Sequence, residues 1–235
     1  MHEARPRAEF DAFAPDYDGG MGDPLKRLFG GTADVFLEHK ADWLRRNLAP
    51  AGRLLDFGCG AAGFLRALRQ SGAPLELVGC DVSEGMLAEA RERWDAGPPP
   101  SLHAVPPGPL PFADAEFDVV TATCVLHHVA PAERPAVARE LLRVVRPGGA
   151  VAVFEHNPWN PLTRWLVGRA AIDANAQLLS AAECTRLLSG AGAGACRSRY
   201  ILFFPPRLRR LWAAERALAW LPIGGQYVTV GIKPS

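Results

Sequence analysis

An α/β fold built on a doubly wound, mostly parallel sheet is what the sequence predicts, and three features predict it. Short apolar runs alternate with amphipathic stretches at helical spacing. The first apolar run, Leu54-Leu55-Asp56, ends in the glycine-rich Phe57-Gly58-Cys59-Gly60-Ala61-Ala62-Gly63 and leads straight into a helix over 65–70. A later run, Ala150–Phe154, is apolar at nearly every position, as a strand covered on both faces must be.

Composition sets the frame for these elements. The 235 residues suffice for one α/β domain with a sizeable core, expected to occupy 1–235. Hydrophobic residues make up 49% of the chain, and the net charge of +1 gives no broad pull toward nucleic acid or a membrane. Met1–Arg7 lacks an apolar core, so no signal peptide is expected, and no run is long enough to span a bilayer. The five cysteines are spread along the chain and read as small buried hydrophobes in a reducing cytoplasm. Neither they nor the six histidines show ligand spacing, so no metal is expected.

The elements follow in order. Phe10, Phe13 and Tyr17 share helical spacing in an irregular N-terminal entry, with glycines at 19, 20 and 22 behind them. Thr32–Leu48 reads as an amphipathic helix, with Lys40, Arg45 and Arg46 between its apolar positions. Arg53–Asp56 and Leu75–Asp81 are the first two strands, joined by the helix over 65–70 as a parallel βαβ unit. Ser83 is placed to cap the helix Glu84–Trp94. Gly97-Pro98-Pro99-Pro100 is a rigid connector to a short strand, Ser101–Val105. A fourth strand over 115–123 precedes the helix Pro131–Val145, with Arg134, Arg139 and Arg143 on its wet side. Arg146-Pro147-Gly148-Gly149 turns the chain into the fifth strand. Ala181–Leu188 is a helix, and Arg197–Phe204 and Tyr227–Lys233 complete the strands.

Two stretches interrupt this alternation. Residues 155–180 follow a strand's carboxyl end and are rich in Asn, Pro and Trp, which suits a pocket wall. Residues 205–225 place Leu208, Leu211, Trp212, Leu218 and Leu221 on one helical stripe ringed by arginines. That stripe is a core contact, a dimer face or an interfacial helix that would admit a lipid-linked substrate.

The glycine-rich turn fits two ligands. Gly58, Gly60 and Gly63 match the dinucleotide pattern, and Asp81 follows at a spacing suited to a ribose. Asp56 argues against a dinucleotide, because a carboxylate there repels a pyrophosphate and attracts an ammonium group. S-adenosylmethionine carries such a group and no phosphate. Asp56-Phe57-Gly58-Cys59-Gly60, Asp81, Leu110-Pro111-Phe112, Phe117-Asp118, Leu126-His127-His128 and Pro147-Gly148-Gly149, in this order, resemble the class I S-adenosylmethionine-dependent methyltransferases. Two departures stand out. That family more often carries its third glycine at the position of Ala62, and no acid precedes Leu110 where relatives hold the adenine amine. Adenine would then be held by backbone groups, by His103, or more loosely.

The resemblance implies a Rossmann-like, seven-stranded sheet of order 3-2-1-4-5-7-6 with strand 7 antiparallel. It also implies an N-terminal lid over 1–48, in which Tyr17 covers the cofactor or merely packs. The implied cofactor-binding set is Tyr17, Asp56, Gly58, Cys59, Gly60, Asp81, Val82, Met86, Thr123 and Cys124, although Met86 reads equally as core. The implied activity is methyl transfer from S-adenosylmethionine to a small molecule, with a hydroxyl or carboxylate oxygen as the expected acceptor. A hydroxyl acceptor needs a base, and His127, His128 and His156 are the candidates. The chain is expected to act as a monomer or homodimer. Two other classes remain open at this point: an NAD-dependent oxidoreductase on the same glycines, and a non-catalytic cofactor-binding protein.

Overall fold

The computed structural model describes residues 34–235; the N-terminal entry, with Tyr17 and most of the expected lid, lies outside them. Seven strands form one sheet in the order β3-β2-β1-β4-β5-β7-β6. They are β1 (Gly52–Phe57), β2 (Leu75–Asp81), β3 (Ser101–Ala104), β4 (Phe117–Thr123), β5 (Val145–His156), β6 (Ala195–Ile201) and β7 (Gln226–Ile232). The pairs from β3 through β5 are parallel, and β7 runs antiparallel to both β5 and β6, as expected. β5 starts earlier than the apolar run alone suggests, because the Pro147-Gly148-Gly149 turn stays against its neighbours. A Cβ on Gly149 would sit 2.7 Å from the Asp118 carbonyl oxygen, so glycine lets the turn lie on β4.

The strands sort their side chains onto two faces. Leu55, Val78, Val120, Val151 and Val153 face one core with α4 (Arg134–Val144) and α6 (Ala181–Gly190). Leu54, Leu77, Val119, Ala152 and Phe154 face the other with α1 (Asp34–Leu48), α2 (Gly63–Gln70) and α3 (Glu84–Glu92). Consecutive residues such as Leu54 and Leu55 therefore bury on opposite sides, which is why these strands read as unbroken apolar runs. Ser83 caps α3 by accepting from the Met86 N–H, and Ser180 with Glu183 forms a capping box on α6.

Two expectations are corrected here. Arg134 is not on the wet side of α4; it is 7% exposed and donates to the carbonyls of Val129 and Gln177. Residues 205–225 do not form one helical stripe. A 3-10 helix (Pro206–Ala214), non-helical at Leu208, precedes the single-turn α7 (Glu215–Leu218). The cause is the Glu215 carboxylate, 4% exposed. It accepts from the N–H groups of Leu202, Phe203 and Phe204 and lies 3.0 Å from His39 Nε2 on α1. That anchor turns the segment back before a longer helix can form.

The exit of β4 is held by a second buried carboxylate. Glu155 Oε1 accepts from the N–H groups of Val125 (3.1 Å) and Leu126 (2.7 Å), and Oε2 meets His127 Nδ1 at 2.5 Å. Burial disfavours charge on His127, but Glu155 and Asp173 outweigh it and hold the imidazole up at about 10. Burial likewise opposes the Glu155 charge, and His127 holds that carboxyl below its ordinary range.

A stability test follows. The folded value for His127 lies above the unfolded ~6.5, so its contribution is complete below that pH and is lost as pH rises through about 10. Near pH 6, His127→Gln should lose roughly 3–5 kcal/mol, the cost of leaving a buried charge unpaired. Urea unfolding of both chains at rising pH should show the gap closing toward pH 10. A gap independent of pH would contradict the charged pair.

Candidate active site

The glycine-rich turn folds over the end of β2: the N–H groups of Gly58 and Cys59 both donate to the Cys80 carbonyl, at 2.8 and 3.0 Å. Gly58 has φ +70, and a Cβ there would collide with Val125. Gly60 has φ +51, and a Cβ there would meet nothing within 4 Å, so its bare backbone faces open space where a ligand can approach. Ala62 is also left-handed, at φ 60. This is the position where the resemblance expects glycine, and alanine bears roughly 1–2 kcal/mol of strain in this conformation. The displaced Gly63 does different work. A Cβ on it would lie 2.7 Å from Leu37 Cδ1, so its bareness lets α1 close on α2.

Two buried carboxylates flank the turn. Asp81 Oδ2 accepts from the Gly60 N–H at 2.8 Å, and Oδ1 accepts from the Ser83 N–H at 2.9 Å. Asp56, 1% exposed, accepts from Thr121 Oγ1 at 2.7 Å. Burial pushes Asp56 up to about 7 over the opposing Thr121 hydrogen bond, and the Asp81 charge pushes the same way. A carboxyl poised in this manner gains from a cationic neighbour, so the donor set suits a ligand that brings an ammonium to Asp56.

These groups line a cavity of about 1300 Å³ whose wall is mostly apolar. Every sequence-predicted site residue among the described residues lies on its wall: Asp56, Gly58, Cys59, Gly60, Asp81, Val82, Met86, Thr123 and Cys124, with His127, His128 and His156. Val105–Leu110 lines the stretch where an adenine acid was missing, whereas His103 stacks edge-on against Phe112, off the cavity wall. Leu162, Thr163, Leu166 and Val167 of α5 (Pro161–Val167), with Ile172 and Asp173, supply another wall, as the composition of 155–180 suggests.

The three histidines differ in their partners. His127 is 1% exposed and lies between Glu155 and Asp173, with Nε2 3.4 Å from Asp173 Oδ1. His128 Nε2 lies 3.4 Å from the same oxygen. Burial opposes charge on Asp173, yet the two histidines hold its carboxyl well below the usual range. Ligand atoms of His127, His128 and Asp173 fall within 4.8 Å of one another, and opposite charge already accounts for the grouping. His156 Nδ1 lies 3.2 Å from Gln226 Nε2.

Sequence reasoning missed three residues here. Lys40, read as a polar position between the apolar ones of an amphipathic helix, is 3% exposed and donates from Nζ to Cys124 Sγ at 3.4 Å. Its position was legible: it lies three residues after Leu37 and four before Leu44, on the face that α1 buries. Asp173 and Gln226 reach the cavity through chain crossings that no local pattern reports. Cys124 sits at φ 57, 3.6 Å from Gln226 Nε2. Burial pushes its thiol up, but Lys40 and His156 outweigh this and bring it down to about 7.

Comparison with known proteins agrees with this layout. A family model described as a methyltransferase domain matches residues 54–149. A demethylmenaquinone methyltransferase of Beutenbergia cavernae is 38% identical over 164 residues, which cover 66% of this chain and 65% of that one. A ubiquinone/menaquinone biosynthesis C-methyltransferase of Burkholderia mallei is 31% identical over 143 residues, covering 55% and 58%. The chain thus spans less than two thirds of the length of these curated relatives. Among solved structures, an S-adenosylmethionine-dependent methyltransferase of Thermotoga maritima overlays with TM-score 0.68 at 20% identity, over 95% of this chain and 98% of that one. Haemonchus contortus phosphoethanolamine N-methyltransferase 2, solved with S-adenosyl-L-methionine, gives 0.62 at 18%, over 99% and 62%. At such identities the structural likeness is one of fold. The matched motif region, the related sequences and the shared sheet order together make this chain similar to the class I S-adenosylmethionine-dependent methyltransferases.

Proposed function

We propose that the chain transfers a methyl group from S-adenosylmethionine to a ring carbon of a lipophilic quinol, a ring bearing at least one free hydroxyl. The observation that carries this reading is the mostly apolar cavity that runs from the Asp56 and Asp81 carboxylates to the Cys124 and His156 wall. The likeness to methyltransferases favours it over an NAD-dependent oxidoreductase, as does Asp56. The expected oxygen acceptor finds no support among the relatives, one of which is named a C-methyltransferase. Their names point to quinones. A quinone ring is electron-poor, so its reduced, hydroxylated form is the nucleophile.

The cofactor supplies a methyl group already activated on a sulfonium. The protein's own residues therefore bind, orient and move protons. In this reading Asp56 meets the ammonium end and Asp81 the ribose hydroxyls, while Val82 and Met86 pack on the base. Tyr17 keeps its proposed covering role from outside the described residues. The apolar wall holds the ring. Loss of a proton from a ring hydroxyl makes the adjacent carbon nucleophilic. His127 keeps its proton to about pH 10 and so does not take this one at neutral pH. Among the described residues no helix is long and apolar enough to cross a membrane. Trp159 and Ile223, 70% and 61% exposed, are tied together where Asn160 Nδ2 donates to the Ile223 carbonyl. Asn160 itself lines the cavity, so in this reading the two exposed side chains beside it offer a lipid-linked acceptor an apolar approach.

Three outcomes are expected. In calorimetry, S-adenosylmethionine and S-adenosylhomocysteine bind and NAD does not, and Asp81→Ala weakens binding by ~1–3 kcal/mol through lost charge-assisted hydrogen bonds. Unchanged affinity would mean that Asp81 does not hold the ribose. The ammonium stabilises ionised Asp56, so affinity should rise with pH up to about 7, level off above it, and fall up to about tenfold per unit below. Repeating the titration in buffers of different ionisation heat should detect a released proton that Asp56→Asn abolishes. Finally, incubation with labelled cofactor and a reduced naphthoquinone should put the label on ring carbon; label on oxygen, read by NMR, would refute the carbon acceptor.

A further inference from the structure

Cys124 stands where β4 ends, at the boundary between the cofactor half of the cavity and the half left for the acceptor. Its left-handed backbone, φ 57, is rare for a residue with a side chain, and such strain collects at functional positions. Groups from four elements face its sulfur. Lys40 of α1 donates from Nζ at 3.4 Å, and Gln226 of β7 donates from Nε2 at 3.6 Å. His156 and Glu155 of β5 and His127 behind β4 act on it electrostatically. Two features of this cluster point to a missing ligand. Gln226 is 9% exposed and lines the cavity, and its Oε1 has no hydrogen-bond partner. Lys40 carries three donor protons, is 3% exposed, lines the same cavity, and donates to Cys124. A buried amide oxygen and a buried ammonium therefore face one apolar space: the amide oxygen accepts from a hydroxyl while that group is neutral, and the ammonium pairs with its oxygen once the proton has passed to the thiolate.

We propose that Lys40, Cys124 and Gln226 form the subsite for the acceptor's hydroxyl, in which Cys124 takes the hydroxyl proton and Lys40 then holds the oxyanion. This rests on the hydroxylated-ring reading above. The O–H bond breaks and an S–H bond forms, its electron pair staying on oxygen. Before transfer the ammonium is paired with the thiolate; afterwards it is paired with the oxyanion. The net charge of the subsite is unchanged, which matters in an apolar cavity where an uncompensated charge is costly. Methylation at the adjacent carbon consumes the charge. The ring carbon then loses its proton, the ring oxygen takes back the proton held on sulfur, and the thiolate is restored with one proton released to solvent per turnover.

The thiolate is tested first, without any acceptor. Iodoacetamide labelling is followed from about pH 5.5 to about pH 9.5, and the peptide carrying Cys124 is read by mass spectrometry. The expected midpoint is about 7 in the natural chain. Lys40→Met should raise it by about one unit or more, whereas Lys40→Arg, which keeps the charge, should not. A midpoint at the ordinary thiol value of ~8.5, or one unmoved in Lys40→Met with the fold intact by circular dichroism, overturns the subsite. Turnover with the reduced naphthoquinone is measured next. Cys124→Ser should lower kcat at saturating cofactor about 100-fold, and the acid limb of the natural chain's kcat should vanish in it. Natural kcat and pH profile in Cys124→Ser overturn the base role. No transfer by the natural chain, with cofactor bound, overturns the acceptor reading and the base role with it; the thiolate–ammonium pair is then judged by the labelling profile alone.

Discussion

The Glu155 carboxylate is the constraint on which the active-site half of this molecule depends. One buried side chain at the end of β5 accepts two backbone N–H groups from the β4 exit and pairs with His127. Those three contacts decide the path of residues 124–128, and with it where Cys124, His127 and His128 stand. A neutral amide could not replace it, because the partner imidazole is charged and both are removed from water. The same pair recruits Asp173 from a segment far along the chain, closing the histidine end of the cavity.

Around that lock, the cavity is organised as alternating charges set in apolar walls. Asp56 and Asp81 gather at the glycine-rich turn, the Lys40 ammonium acts on both Asp56 and Cys124, and the His127 imidazolium pairs with Glu155 and Asp173. Low-dielectric surroundings strengthen each pairing and penalise each orphan. This is why ionisation shifts here run in opposite directions within one cavity. Asp56, with burial dominant and a like charge nearby, is raised to about 7. Cys124, with an ammonium in contact, is lowered to about 7. Each group is left near its switching point at neutral pH, which suits a site that binds a cation at one end and handles a proton at the other.

Local conformation bends to the same purpose. Glycine is present where bare backbone is needed, at Gly58 against Val125 and at Gly60 beside the open cavity. It is absent at Ala62, where only φ demands it. At Gly63 it serves the packing of α1, and α1 is the helix that delivers Lys40. The shifted glycine thus reports a helix–helix contact rather than a different ligand.

By itself the sequence determined the strand and helix order, the parallel pairing, the two-faced core and the ordered motifs that bring Asp56, the glycines and Asp81 together. These depend on periodicity and on short turns, which are local properties. Most of the predicted wall residues were legible because they stand at or just beyond the carboxyl ends of β1, β2, β4 and β5, and the topology brings those ends to one edge. Tertiary structure alone decided what each wall residue touches. It buried Lys40 against Cys124, drew Asp173 to two histidines and brought Gln226 across from β7. It also broke the apolar stripe of 205–225 on the Glu215 anchor and sealed Arg134 under Val129 and Gln177. Apart from Arg134 with Val129 and Glu215 with Phe203, each of these is a polar contact between elements distant in the chain. Its strength comes from exclusion of water once the chain has packed, so no stretch of sequence carries the signal alone.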